Sequence, residues 1–85
     1  MSYLVVFSDT AAKQFKKINN TKLKEKIVLS LEYIAKEPLV GKPLQAKFKG
    51  CYSYRIGDFR IIYAFYKDRK YLGILRIDCR KQVCK

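Results

Sequence analysis

The chain has 85 residues, 49% of them apolar, and its 19 Lys and Arg against 7 Asp and Glu give a formal net charge of +12. We predict a single domain spanning residues 1–85, and the charge favours a polyanionic partner: nucleic acid, an anionic membrane or an acidic protein. The apolar runs are far shorter than the roughly 18 residues of a membrane span, which argues against a membrane-spanning protein. Three cysteines without zinc-site spacing argue against a secreted disulfide scaffold and against a metal site, and we therefore expect a cytoplasmic protein.

The first half of the chain predicts a strand followed by two helices. Residues 3–7 are rich in β-branched and aromatic side chains, which is typical of a buried strand. Ser8 or Asp9 can cap a first helix, whose apolar stripe would be Ala11, Phe15 and Ile18. Residues 19–21 break that helix, and Pro38 ends a second one, whose apolar stripe would be Leu23, Ile27, Leu31 and Ile34. These two helices are predicted to form a hairpin that packs on a sheet.

The second half predicts antiparallel strands, because apolar residues now recur at every second position. Turns are expected at residues 57–58 and 67–70. The predicted strands are residues 44–50, 52–56, 60–66 and 71–79. The fold class is therefore α+β, with an N-terminal strand, a helical hairpin and then a three- to four-stranded antiparallel sheet.

The turn at residues 57 and 58 makes a sharp geometric prediction about two arginines. In a two-residue hairpin loop Ile56 pairs with Phe59, which places Arg55 directly opposite Arg60 on one face of the sheet. Like charges in that position destabilise a bare sheet, whereas an anion between them removes the repulsion. Guanidinium groups suit bidentate contacts to phosphate. A merely solvated face explains the lysines of the helices better than it explains this pair.

Further cations extend the same hypothesis. Lys47 and Lys49 precede the arginine pair, while Arg76 falls on the last predicted strand and Arg80 directly follows its end. Strand alternation puts Asp78 on the same face as Arg76, near enough to neutralise it. A turn of three or five residues before this strand would bring that face to the side of the arginine pair. The chain has no histidine, so any chemistry would depend on these cations, tyrosines, cysteines or a few carboxylates.

The sequence of residues 50–63, GCYSYRIGDFRIIY, resembles the core motif of the RelE/ParE toxin superfamily. Leu44 matches the leucine that precedes this core, and residues 78–84, DCRKQVC, resemble the closing motif of the family. The resemblance extends over essentially the whole chain. It implies a RelE-like fold and the toxin of a type II toxin–antitoxin system, with a cognate acidic antitoxin as its partner.

For the RelE branch, the resemblance implies cleavage of mRNA in the ribosomal A site without a metal or other cofactor. By motif position, Arg60 would contact the scissile phosphate, and Arg80 would act at the leaving group or the phosphate. Arg55 lies near the position of the catalytic lysines of the family, and we place it with them. The expected further RNA contacts are Lys47, Lys49, Arg76 and Lys81.

The tail departs from the family pattern at two positions. Cys79 and Cys84 stand where many active relatives have His and Tyr, and a cysteine cannot stack on a base. A catalytically weakened member that still binds its antitoxin is therefore one alternative. The other alternative is a ParE-like inhibitor of DNA gyrase, which shares the fold but lacks the ribonuclease tail. Arg80, Lys81 and Val83 favour the ribonuclease.

Overall fold

The computed structural model describes residues 3–45 and 50–79. In these ranges the elements are β1 (Leu4–Phe7), α1 (Asp9–Lys16), α2 (Thr21–Lys36), a 3₁₀ turn (Pro38–Val40), β2 (Lys42–Pro43), β3 (Tyr52–Ile56), β4 (Phe59–Tyr66) and β5 (Tyr71–Cys79). The described strands form one sheet in the order β1-β5-β4-β3-β2, in which β1 is parallel to β5 and all other pairs are antiparallel. The predicted α+β fold class is confirmed.

Side-chain caps fix where both helices begin. The Ser8 hydroxyl accepts a hydrogen bond from the backbone N–H of Ala11 at 3.1 Å, which selects Ser8 rather than Asp9 as the N-cap of α1. Asn20 caps α2 in the same way, through the backbone N–H of Leu23 at 3.1 Å. Each cap satisfies a donor that has no partner inside its helix, a contribution of about 1 kcal/mol. Helix α2 ends at Lys36, just before Pro38 as predicted.

The hydrophobic core lies between the two helices and one face of the sheet. The predicted apolar stripe of α2 is confirmed, since Ile27, Leu31 and Ile34 are buried and Leu23 packs against them. Their partners are alternate residues of the strands, namely Ile56, Phe59, Ile61, Tyr63, Leu72, Ile74 and Ile77. Full burial of such a side chain is worth roughly 1.5–3 kcal/mol. The helices therefore occupy one face of the sheet, and we call the opposite face the outer face.

Strand β1 differs from its prediction as a buried strand. It lies at one edge of the sheet, and its side chains alternate between the two faces. Val5 and Phe7 pack against the core, whereas Leu4 and Val6 point to the outer face and are 70% and 44% exposed. The apolar run of residues 3–7 predicted a buried strand because hydrophobicity alone does not show which face of a strand the helices cover.

Of the strand predicted for residues 44–50, the structure describes residues 44, 45 and 50, and none of these three is in a strand. A two-residue strand, β2, precedes it, in which Lys42 is opposite Ser53 and Pro43 is opposite Tyr52. The backbone N–H of Leu44 then donates to the carbonyl of Cys51 at 2.9 Å. Proline is acceptable here because β2 is an edge strand of the sheet. Residues 46–49 of the predicted strand lie outside the described residues.

A β-bulge determines which residues of β5 reach the outer face. The turn before β5 has four residues, 67–70, with Tyr66 opposite Tyr71. Continued without interruption, this register would direct Arg76 and Asp78 into the core. The register shifts between Ile62 and Tyr63, because Tyr63 is opposite Ile74 whereas Ile62 is opposite Arg76. The extra residue in β5 exchanges the two faces for the rest of the strand, so that Arg76 and Asp78 point to the outer face. Arg76 and Asp78 thus share a face with the arginine pair, as predicted, but because of a bulge rather than a turn of three or five residues.

Candidate nucleic-acid interface

Four neighbouring strands, β2 to β5, bring one cation each to one end of the outer face. Lys42 is paired with Ser53, Arg55 with Arg60, and Arg60 in turn with Asp78. Because paired residues in neighbouring strands point to the same face, all these side chains project from one side of the sheet. Arg76 belongs to the same side as Asp78 by alternation along β5. We call Lys42, Arg55, Arg60 and Arg76 the cationic patch.

The predicted arginine pair is present in the register of the hairpin. Arg55 is directly opposite Arg60, and Ile56 is opposite Phe59 at the end of the ladder. The two-residue loop is possible because Gly57 has a φ of 57°, a left-handed value that glycine adopts without strain. Both arginines are exposed to solvent. The hairpin therefore holds two positive charges side by side on an accessible surface.

One carboxylate, that of Asp78, lies next to the cationic patch on the described strands. Asp78 forms an ion pair with Arg76 at 3.2 Å between Oδ1 and Nη2. The same Oδ1 is 3.5 Å from Nε2 of Gln14 in α1, whose Oε1 accepts a hydrogen bond from the backbone N–H of Ile77 at 2.7 Å. Both side chains of the ion pair are about a third or more exposed, so solvent screening limits its contribution to about 0–1 kcal/mol. The negative charge of Asp78 nevertheless offsets that of Arg76, so the net positive charge of the patch corresponds to the other three cations.

A cavity of about 570 Å³ lies against this surface. Its lining combines cations with apolar and hydroxyl groups: Val40, Lys42, Leu44, Ser53, Tyr54, Arg55 and Arg60. Lys42 lines this cavity, although the sequence did not predict it as a candidate site residue. Lys42 joins the patch through the pairing of β2 with β3. A strand of two residues is too short to show the alternation of apolar and polar residues by which a strand is predicted.

Tyr63 fastens β2 to the centre of the sheet. Its buried hydroxyl donates to the carbonyl of Pro38 at 2.6 Å and accepts from the backbone N–H of Gly41 at 3.0 Å. Burial raises the pKa of the Tyr63 hydroxyl above its ordinary value of 10.0, and the hydrogen bond from Gly41 acts in the opposite direction. The hydroxyl consequently stays protonated and keeps its donor role. The segment that carries Lys42 is thus tied to β4.

The opposite end of the outer face is apolar. Leu4 and Val6 of β1 lie beside Tyr71 and Gly73 of β5, and the Tyr66 ring stacks on that of Tyr71 with 4.6 Å between centroids. We call Leu4, Val6, Tyr66 and Tyr71 the aromatic end. Between this end and the cationic patch lie Ile62 and Ala64, both buried.

Several predicted site residues fall outside residues 3–45 and 50–79. These are Lys47, Lys49, Arg80 and Lys81, together with Cys84 of the tail. Cys79 ends β5 opposite Phe59. Within the described ranges, no cluster of three or more His, Cys, Asp or Glu is placed to hold a metal ion. Nor do those ranges contain a helix of the length and hydrophobicity needed to cross a membrane.

Sequence comparison relates this chain to bacterial toxins over nearly its full length. The family model for the ParE toxin of type II toxin–antitoxin systems matches residues 5–84. Toxin RelG of Mycobacterium tuberculosis is 32% identical over 84 residues, which are 98% of this chain and 97% of the relative. Both matches include the strand–helix–helix opening as well as the strands that carry the arginines.

Solved structures show the same fold. A chain of the toxin–antitoxin complex RelBE2 from Mycobacterium tuberculosis superposes with a TM-score of 0.82 at 31% identity, with 94% of this chain and 100% of that chain covered. The isolated E. coli RelE toxin gives a TM-score of 0.81 at 15% identity, with 95% and 87% covered. A chain of the archaeal RelE–RelB complex from Pyrococcus horikoshii gives 0.79 at 21% identity, with 96% and 99% covered. The last two matches, at low identity, support the fold alone.

Proposed function

Because this chain belongs to the RelE/ParE superfamily of toxins from type II toxin–antitoxin systems, we propose that it is a ribosome-dependent endoribonuclease. Its substrate in this proposal is mRNA in the ribosomal A site, which it cleaves without a metal or other cofactor. The cut mRNA blocks translation, and a cognate antitoxin holds the toxin inactive. The family membership confirms the resemblance recognised in residues 50–63.

The observation that carries this proposal is the position of Arg55 opposite Arg60 on an exposed part of the sheet. Like charges directly across a ladder destabilise the sheet, by roughly 0.2–1 kcal/mol on the scale of cross-strand pairs. A phosphate placed between them converts this repulsion into two charge-assisted contacts. The pair is therefore better explained by a bound polyanion than by folding.

The chemistry of RNA cleavage suits such a cluster. Attack by the neighbouring 2′-hydroxyl forms a bond from the 2′ oxygen to phosphorus and breaks the bond from phosphorus to the 5′ oxygen. The 2′ proton passes to a base, the departing 5′ oxygen gains a proton, and the phosphorane between them carries additional negative charge. Arg60 at the scissile phosphate and Arg55 beside it would stabilise that charge, commonly the largest single contribution to catalysis.

The remaining predicted residues stay part of the proposal. Arg80 is assigned to the leaving group or the phosphate by its motif position. Lys47, Lys49, Arg76 and Lys81 are assigned to RNA contacts. The ion pair between Arg76 and Asp78 makes Arg76 the weakest of these assignments, because binding RNA would require that pair to open or to share its charge.

An antitoxin partner follows from the relatives and from the charge of the chain. RelBE2 of Mycobacterium tuberculosis is a toxin–antitoxin complex, and the Pyrococcus horikoshii structure is a complex of RelE with RelB. A chain with a net charge of +12 is complemented by an acidic protein, which would also compete with RNA for the cationic patch. We therefore expect a small acidic protein that binds this chain tightly and restores the growth of cells that express it.

Inhibition of DNA gyrase is the second candidate, because the matching family model is that of the ParE toxin. In that case the cationic patch would contact a protein–DNA complex rather than mRNA. The similarity to Toxin RelG and to a chain of the RelBE2 complex favours the first candidate. A catalytically weakened toxin, with Cys79 and Cys84 in the tail, is the third.

Expression of the chain alone, followed by mapping of mRNA 5′ ends on translating ribosomes, tests the proposal. We expect new 5′ ends within A-site codons, absent from cells that express Arg60→Ala and retained with Arg69→Ala. Arg69 is the matched control because it is an exposed arginine in the turn after β4. Growth arrest with no A-site ends and with inhibited gyrase supercoiling would favour the second candidate. The absence of growth arrest from a stably folded chain would favour the third.

A further inference from the structure

We propose that Lys42 is a phosphate-binding residue of this site, which contacts the RNA backbone at a phosphate beside the one held by Arg60. The inference deepens the proposed function and rests on it. It starts from the register of β2, where Lys42 lies opposite Ser53 on the outer face and lines the same cavity as Arg55 and Arg60.

The spacing of the sheet permits such a contact. Lys42 and Arg60 are two strands apart across the sheet and two residues apart along it. With standard strand spacing and rise, their Cα atoms are separated by about 12 Å. Two long side chains that converge from that distance can reach the same phosphate or two consecutive ones. The lysine supplies a compact point charge, which complements the planar guanidinium of Arg60.

The position of Lys42 is fixed by the residue that precedes it. Gly41 donates its N–H to the Tyr63 hydroxyl at 3.0 Å. A Cβ added to Gly41 would collide with that hydroxyl and would lie 2.9 Å from the carbonyl of Ser53. The backbone at the start of β2 is thus packed closely against β3 and β4. Such packing fixes the backbone from which the Lys42 side chain extends, so less backbone freedom is lost on binding a ligand than for a lysine on a loose loop.

A structural role for Lys42 also has to be considered. Lysine and proline on an edge strand discourage pairing between copies of a sheet, and β2 is an edge strand that contains both. This role predicts that Lys42→Gln promotes self-association without changing RNA binding. The phosphate role predicts the opposite pattern. The two explanations can therefore be separated by one set of variants.

The test measures binding of a 2′-O-methyl RNA oligonucleotide, which resists cleavage, over a series of salt concentrations. For Lys42→Gln we expect a slope of log affinity against log salt that is smaller by about 0.7, the value for one phosphate contact on a single strand. Lys42→Arg should restore the slope. Lys26→Gln is the matched control, because it removes the same charge from an exposed position on α2 and should leave the slope as in the wild type.

The outcomes separate this inference from the proposed function. A wild-type chain that binds neither the oligonucleotide nor ribosomes would refute the proposed function itself. A wild-type chain with a steep salt dependence, matched by Lys42→Gln, would overturn only the assignment of Lys42. Self-association of Lys42→Gln with an unchanged slope would also overturn it, in favour of the edge-strand role. A reduced slope with an unchanged unfolding midpoint would support the assignment.

Discussion

The two ends of the outer face expose opposite kinds of side chain, with opposite consequences for stability. At the aromatic end, Tyr66 and Tyr71 stack directly across β4 and β5, a contact that stabilises the sheet without any partner. At the other end, Arg55 and Arg60 occupy the equivalent cross-strand relationship and repel each other. The same ladder geometry thus supports folding at one end and opposes it at the other. Folding alone therefore accounts for the tyrosines at the aromatic end, whereas the two arginines are better explained by a ligand that binds between them.

The largest expected effect is the loss of activity in Arg60→Ala. Removal of a donor that stabilises transition-state charge commonly reduces the rate by about 10²–10³-fold, so toxicity should disappear while the fold remains. Growth curves and A-site cleavage would be measured against Arg69→Ala. Full toxicity of a stably expressed Arg60→Ala protein would contradict the assignment of this residue.

A smaller but substantial effect is expected from Tyr63→Phe, which tests the attachment of β2. This change leaves the N–H of Gly41 and the carbonyl of Pro38 without their partner, at a cost of about 1–3 kcal/mol in the free energy of unfolding. Chemical denaturation would measure it. An unchanged free energy of unfolding would show that the two hydrogen bonds do not fasten this segment.

The same residue predicts a dependence of stability on pH. The pKa of Tyr63 is raised in the folded chain above the ordinary value of 10.0. Its contribution is therefore complete below pH 10.0 and is lost as the pH rises through the folded-state pKa. Because phenylalanine has no group that ionises, the free energy of unfolding of Tyr63→Phe should fall less than that of the wild type as the pH rises above 10.0. Identical alkaline profiles would contradict the origin assigned to the shift.

The aromatic end provides the next smaller effect. Tyr66→Ser removes the stacked ring, and we expect it to lower the free energy of unfolding by about 0.2–1 kcal/mol without changing the salt dependence of RNA binding. Denaturation and the oligonucleotide assay would check the two parts. A change of salt slope in Tyr66→Ser would show that RNA extends over the whole outer face, and the contrast between its ends would be lost.

Much of the arrangement could be predicted from local chemistry along the chain. The two-residue loop at Gly57 determined the pairing of Arg55 with Arg60, and the spacing of apolar residues identified the core face of α2. These features depend on neighbours that are close in sequence. Local sequence alone therefore predicts the arginine pair, without reference to tertiary contacts.

Other features depended on contacts between distant segments and were missed for that reason. Ser8 forms two hydrogen bonds at the bulge in β5. Its hydroxyl donates to the carbonyl of Leu75 at 2.8 Å, and its backbone N–H donates to the carbonyl of Ile74 at 2.9 Å. Lys42 reaches the cationic patch because Tyr63 fastens the preceding segment. A pattern of alternating hydrophobicity contains no sign of either contact.

The most direct test of the account is the stability of Arg55→Gln, measured together with its RNA binding. Arg55 faces Arg60 across the ladder, whereas Arg60 also has Asp78 on its other side, so replacing Arg55 isolates the repulsion most cleanly. We predict that Arg55→Gln raises the free energy of unfolding by about 0.2–1 kcal/mol and weakens RNA binding with a smaller salt slope. A loss of stability with RNA binding unchanged would show that Arg55 serves the fold, and would contradict the claim that this surface is built for a polyanion.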